Sequence, residues 1–277
     1  MSRVVTFRAA LSSIEKTPLE AATLDEASLQ IPAGAYTVLP VFPGRRIVRL
    51  DRHLARMDDT LARLGIEAHF DHAQTRHLMR ACIKQTALDS ARLRLTLPKR
   101  EPGVAYVSVE PWQPYGPELY ERGVRVATVN AQRDNPRAKS THFIGPRTAL
   151  FEKLPEGIYE AILCGPDGAL LEGASSNFYA VLDGQLHTAQ EGMLIGVARS
   201  IVLDACAQEP PLPLLREPVS KDDLSNIGEA MLSSASRGVV PIVEIDGTPL
   251  GDGLPGPVFA ELHRRYQTIF QRELEPL

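Results

Sequence analysis

The sequence predicts two α+β domains, a small one over residues 1–110 and a larger one over 123–277, joined by a linker at 111–122. Three observations support that division. Apolar residues switch between a period of two and a period near 3.6 several times in each half, so strands and helices are mixed along the chain. The stretch "PWQPYGPELYER" sets three prolines and one glycine between periodic segments, the composition of a connection. A length of 277 residues is enough to bury a core in each half.

The elements follow in order. "GAYTVLPVFPGRRIVRL" reads as two strands around Pro43 and Gly44, since β-branched and aromatic residues flank the turn pair. In "LDRHLARMDDTLARLGI", Leu50, Leu54, Met57, Leu61 and Leu64 recur at helical spacing, with Asp51 placed to cap the start and Gly65 to end it. "SARLRLTL" alternates Leu93, Leu95 and Leu97 with Arg92, Arg94 and Thr96, a strand with one polar face. Past the linker, "GVRVATVNA" is a strand and "PRTALFEKLPEG" a helix. "YEAILCGPDGALLEGASSNFYAVLDGQLHTA" is a series of short strands broken at Gly165 to Gly168 and at Asp183 and Gly184. "GVARSIVLDACAQ" is a helix opening after Gly196, and "EAMLSSASRGVVPIVEIDGTPLG" is two strands around a loop of small residues. "GPVFAELHRRYQTIFQREL" closes the pattern as an amphipathic helix.

A formal charge of -4, without long runs of one sign, excludes the electrostatic footprint of nucleic-acid or anionic-membrane binding. No apolar run reaches the length of a membrane span, and "MSRVVTFRAALSSIEK" lacks the uninterrupted apolar region of a leader. Cys82, Cys164 and Cys206 are odd in number and form no CxxC pair, which predicts buried thiols in a reducing, cytoplasmic compartment and no metal site. Small molecules or protein are the expected partners.

Residues that can carry chemistry gather in the second half. Lys139 is one of six lysines among 30 basic residues, and it stands in "NPRAKSTHFIGPRTAL" between a proline and the apolar Phe143 and Ile144. It reads either as a solvated surface lysine or as a Schiff-base nucleophile, because a confined site lowers a lysine pKa and lets it condense with a carbonyl. Glu172, between "GALL" and "GASSN", is either a strand-end charge in water or a carboxylate held against a protonated ring nitrogen. Gly196, Val197 and Ala198 open a helix whose first N–H groups form an anion site. Ser234, Ala235 and Ser236 form a small, hydroxyl-bearing turn that can donate to the same anion, and Arg56 lies off the apolar stripe of its helix. Each feature alone is also common in ordinary loops and helix starts. Together they are the parts needed to hold a phosphorylated aldehyde cofactor.

In order along the chain, "LDRHLARM", "RLRLTL", "AKSTHFIGPR", "LLEGASSNFYAV", "GMLIGVAR" and "MLSSASRGVVPIVEIDGTPLGDGLPGPV" resemble the class IV, fold-type IV pyridoxal-phosphate enzymes. That group holds the branched-chain and D-amino-acid aminotransferases and aminodeoxychorismate lyase, and the similarity runs from about Ala33 to the C-terminal helix. The resemblance implies that Lys139 is the Schiff-base lysine, Glu172 the acid at the pyridine nitrogen and Arg56 the phosphate-binding arginine. It implies that Gly196 with the backbone N–H groups of Val197 and Ala198, and Ser234 to Ser236, hold the phosphate of pyridoxal 5'-phosphate. It implies two α/β domains with the cofactor in the cleft between them, a homodimer, and amino and keto acids as substrates.

This chain departs from the group in several places. Where relatives carry a YGDGVFE-like run it reads "LQIPAGAYTVLPVF", with Tyr36 and then Thr37 where transaminases usually keep glutamate. Ala198 and Ala235 replace common hydroxyl residues, which removes side-chain donors and leaves backbone donors. Phe143 stands near the aromatic expected after the lysine, with His142 as the alternative, and Arg94 offers a fork for a substrate carboxylate. The leading reading is an aminotransferase working by two half-reactions. A lyase releasing pyruvate and 4-aminobenzoate, which Thr37 favours, is the alternative, and a non-catalytic homologue is a third.

Overall fold

The computed structural model describes residues 4–10, 13–67 and 69–277; Met1 to Arg3, which open the N-terminal stretch read above, lie outside the described residues, as do Leu11, Ser12 and Ala68. The chain divides into two compact units, the first made of Met1–Pro114, Ala138–Pro146 and Glu273–Leu277, the second of Tyr115–Arg137 and Arg147–Arg272. Both are α+β.

In the first unit β1 (Val5–Ala10), β2 (Ser13–Lys16), α1 (Leu24–Leu29), β3 (Gly34–Val41), β4 (Arg46–Val48), α2 (Leu50–Leu64), α3 (His72–Thr86), β5 (Ala91–Pro98) and β6 (Ala105–Pro111) follow one another. Five strands form an antiparallel sheet in the order β2-β1-β6-β5-β3. The alternation of side chains along β3 and β5 sends Leu39, Val41, Leu93 and Leu95 into one core with Leu50, Leu54, Met57 and Leu61 of α2 and Leu78, Met79 and Ile83 of α3. Each such side chain contributes roughly 1.5–3 kcal/mol on burial. The polar face expected on β5 is not solvated: Arg94 and Thr96 are 2% and 1% exposed.

Local signals give way to long-range contacts at two points. The N-cap of α2 is Arg49, in the left-handed region and without a side-chain cap, while Asp51 is exposed in the first turn. Entry to the helix is fixed instead by Glu275, which accepts from Leu50 N at 3.3 Å, and by Glu273, which takes Arg49 Nε at 2.6 Å. For the same reason β4 forms only the Phe42–Arg46 bridge next to its turn, and pairs along its length with Leu274–Pro276.

Ala138–Pro146 belongs to the first unit although its neighbours in sequence belong to the second. Three hydrogen bonds and the bridge they frame explain it. Tyr36 N donates to Lys139 O at 2.9 Å, Gly34 N to Thr141 Oγ1 at 2.9 Å, Lys139 N to Thr60 Oγ1 at 3.1 Å, and Ala35 bridges Ser140.

The second unit carries α4 (Glu118–Glu121), β7 (Val124–Asn130), most of α5 (Ile144–Phe151), β8 (Glu160–Cys164), β9 (Leu170–Gly173), β10 (Ser176–Leu182), β11 (Gln185–His187), α6 (Val197–Cys206), β12 (Leu214–Leu215), β13 (Glu229–Ser234), β14 (Gly238–Ile245), β15 (Thr248–Pro249) and α7 (Pro257–Arg272). The sheet runs β12-β11-β10-β13-β14-β7-β8-β9, and β9 also pairs with β10, so the path from β10 to β9 closes on itself. Closure leaves those strands without an open edge. Val126, Ile162, Phe178, Leu232, Val240 and Ile242 fill one core cluster. Cys82, Cys164 and Cys206 are free and buried. No helix among the described residues is long and apolar enough to cross a membrane.

Candidate active site

The first unit assembles a basic cluster around Thr37, which is fully buried on β3. Helical spacing puts His53 and Arg56 on neighbouring turns of α2, facing that strand. Arg56 Nη2 donates to Thr37 Oγ1 at 3.0 Å, His53 Nδ1 lies 3.0 Å from the same oxygen, and Arg56 Nη2 is 3.5 Å from Nδ1. His53 is 2% exposed. Burial, reinforced by the charges of Arg56 and Lys139, holds its pKa well below the usual histidine value, so the ring is neutral. A guanidinium can only donate, so Nδ1 beside it is assigned as an acceptor, and the Thr37 hydroxyl proton is directed to His53.

Lys139 joins this cluster through its backbone. Its N–H donates to Thr60 Oγ1, whose hydroxyl donates to Arg56 O at 2.9 Å, so one threonine ties Lys139 to the turn that carries Arg56. Lys139 Nζ lies 4.9 Å from the centroid of the buried Tyr36 ring, a cation–π distance, and Arg94 Cζ lies 4.9 Å from the same centroid. Arg94, however, is engaged by α1: Nη1 donates to Leu24 O at 2.7 Å and Ser28 Oγ at 2.5 Å, and Nη2 to Asp25 at 2.7 Å. The expectation of an open carboxylate fork at Arg94 therefore gives way to an internal clamp on α1. His142 is exposed, with its backbone N–H capped by Ser140 Oγ at 3.2 Å, and Phe143 is half-buried in the same short 3-10 turn, Thr141–Phe143.

The second unit holds Glu172, the start of α6 and the Ser234 to Ser236 stretch. Glu172 stands next to the end of β9 at 2% exposure, and its Oε2 accepts from Leu194 N at 3.1 Å. Asn177, directly opposite Glu172 in the β9–β10 pairing, donates to Leu194 O at 2.7 Å. One pair of cross-strand residues thus grips both polar groups of Leu194, two residues before the N-cap of α6. Arg133 Nε stands 3.3 Å from Glu172 Oε1 and supplies the counter-charge a buried carboxylate needs. Gly196 caps α6 without a side-chain hydrogen bond, and a Cβ there would run into Asn177 Oδ1. Val197 and Ala198, buried, begin the helix. Ser234, Ala235 and Ser236 are half-buried in the turn from β13 to β14.

Comparison with known proteins decides what this chemistry belongs to. The family model for amino-transferase class IV matches residues 34–245, which include Thr37, His53, Arg56, Lys139, Glu172, Asn177 and Gly196. The chain belongs to that family. Class IV aminotransferases use pyridoxal 5'-phosphate to move an amino group from an amino acid to a 2-oxo acid, and this chain is such an enzyme. It is 27% identical to the branched-chain-amino-acid aminotransferase of Pseudomonas aeruginosa over 84% of this chain and 81% of that one. To the D-alanine aminotransferase of Bacillus licheniformis it is 25% identical over 92% of each. Among solved structures, the branched-chain aminotransferase of Thermoproteus uzoniensis with norvaline has a TM-score of 0.80 at 20% identity, over 98% of this chain and 99% of that one.

An amine in the first unit and, in the second, a buried carboxylate, a ten-residue helix whose N-terminus takes no side-chain cap and a hydroxyl-bearing turn are groups whose chemistry suits a phosphorylated aldehyde. Sequence reasoning passed over His53, Thr60, Arg133 and Asn177. His53 and Asn177 lie inside the stretches "LDRHLARM" and "LLEGASSNFYAV", where a polar residue at a core position of helix or strand is the available signal.

Proposed function

We propose that Lys139 is the amine that holds the cofactor and then carries the proton, that Glu172 keeps a proton at the ring nitrogen, and that Arg56, the α6 N-terminus and the Ser234 to Ser236 turn bind the phosphate. Bound pyridoxal phosphate supplies the carbonyl that takes the amino group and the ring that accepts the electrons. The observation that carries the reading is Glu172: a fully enclosed carboxylate whose position is fixed through Leu194 to the start of α6. Lys139 Nζ, over the Tyr36 ring, receives the substrate proton as a base and returns it as an acid. Arg56 is held beside Thr37 and His53 and brings a positive charge to the cluster, the kind of group that binds a phosphate.

The lyase reading rested on Thr37 assisting elimination. Thr37 Oγ1 accepts from Arg56 and its own proton is directed to His53, so the hydroxyl is committed within the protein and the balance favours transamination. Branched-chain and D-alanine aminotransferases among the relatives make small and branched amino acids the donors to test first. A homodimer, which the family resemblance implies, and a cytoplasmic location, which the three buried free thiols support, complete the proposal; sedimentation gives the mass.

Single-turnover absorbance with amino donor alone, across L- and D-amino acids, tests it. A productive donor bleaches the visible band and a keto acid restores it, and borohydride reduction before the donor places the label on Lys139. No bleaching with any donor, together with 4-aminobenzoate release from aminodeoxychorismate, decides for the lyase.

A further inference from the structure

We infer that Arg237 is a positioning residue, which fixes the turn between β13 and β14 in the shape that receives a phosphate; this rests on the reading of Ser234 to Ser236 given above. β13 and β14 last pair at Ser234 and Gly238, leaving Ala235, Ser236 and Arg237 as the turn. The turn is held from below by the Arg237 side chain. Nε donates to Ser234 Oγ at 2.9 Å, Nη1 and Nη2 each reach Glu160 Oε2 at 3.3 Å, and Nη2 also donates to Ser175 Oγ at 2.8 Å and Ser175 O at 3.3 Å. The guanidinium carbon lies 5.4 Å from the centroid of the Tyr159 ring, and Tyr120 Oη donates to Arg237 O at 2.9 Å.

The anchor is Glu160, wholly buried at the start of β8. Its Oε2 accepts further from Ser175 Oγ at 2.6 Å and Ser176 Oγ at 3.2 Å, and Gly173 leaves the room, since a Cβ there would meet Ser176 Oγ and the Glu160 side chain. A carboxylate this deep requires its counter-charge, so Arg237 cannot swing away without stranding Glu160. With all three of its nitrogens occupied, Arg237 acts through the turn and not on a ligand. Backbone donors fixed before the anion arrives bind it without the loss of freedom that a mobile turn would suffer. The result is a buried ion pair that fixes the backbone of the turn.

The test strips the enzyme of cofactor and titrates it, by visible absorbance, with pyridoxal phosphate and with pyridoxal, which lacks the phosphate. Arg237→Met should weaken pyridoxal phosphate by about tenfold or more while pyridoxal binding stays within about twofold. Equal weakening of both ligands, or no change in either, overturns the inference. Ser236→Pro removes one backbone N–H of the turn directly and separates the two readings. If it lowers the preference for the phosphorylated ligand and Arg237→Met does not, the turn binds phosphate and Arg237 does not position it. If neither variant changes that preference, the phosphate reading of the turn falls as well. Should Arg237→Met fail to fold, Arg237→Lys, which keeps the charge but cannot reach Ser234 and Glu160 together, decides by the same comparison.

Discussion

At the scale of single residues, two buried groups set what the molecule can tolerate. Glu172→Gln should retain the cofactor, because the phosphate donors and Lys139 are untouched, yet turn over roughly 100-fold or more slowly, because a neutral amide cannot keep the ring nitrogen protonated. A variant as fast as the parent would make Glu172 a structural charge. His53 links stability to acid. Its pKa is lowered in the fold by burial first and by Arg56 and Lys139 next, while the unfolded imidazole titrates near about 6.5. The unfolded chain therefore binds a proton that the fold refuses, and stability, complete above that pH, falls as the pH drops below it. His53→Gln should flatten the fall in urea midpoint between about pH 7.5 and pH 5; an unchanged slope would assign the acid sensitivity elsewhere.

At the scale of elements, the start of α6 is the point where geometry is tightest. Gly196→Ala should push Asn177 off Leu194 O, cost about 1–3 kcal/mol in thermal unfolding, and weaken cofactor binding, since the shift falls at the start of α6 proposed to hold the phosphate. Retained affinity with lost stability would confine the strain to packing. This element shows what a sequence makes legible. A glycine before a helix, an acid among small residues and one lysine between a proline and an apolar pair are local patterns, and Gly196, Glu172 and Lys139 can be singled out from them. Arg94 cannot be read the same way, because its partners Leu24, Asp25 and Ser28 are some seventy positions away and alternation along β5 says only that it lies opposite the leucines. Arg237 is hidden for a related reason. In "SSASRGVV" it looks like a turn charge, and only the pairing of β7, β8 and β9 brings Glu160 and Ser175 beneath it.

At the scale of the whole molecule, Glu273–Leu277 is a structural part of the first unit. It supplies the strand paired with β4, the Glu273 partner of Arg49 and the buried Leu277, with Arg80 donating to Leu277 O. Deleting residues 273–277 should lower the unfolding midpoint of the first unit, with the loss of Leu277 alone costing roughly 2 to 5 kcal/mol. Differential scanning calorimetry separates this from an effect on the second unit, and an unaltered first transition would count against it. A contiguous division near residue 110 misses the segment because pairing between β4 and Leu274–Pro276 spans nearly the entire chain, and no local period carries that information.

The same pairing orders events during synthesis. β4 leaves the ribosome early, but the strand that covers it is made only after all of the second unit, on the order of ten seconds or more later at ordinary elongation rates. Until then Leu50 N and the Arg49 guanidinium lack their acidic partners, and the cavity for Leu277 is open. The half that is translated first is consequently the half that finishes folding last, and a chain stalled before residue 273 presents its nascent first unit to chaperones and proteases with that seam unsealed.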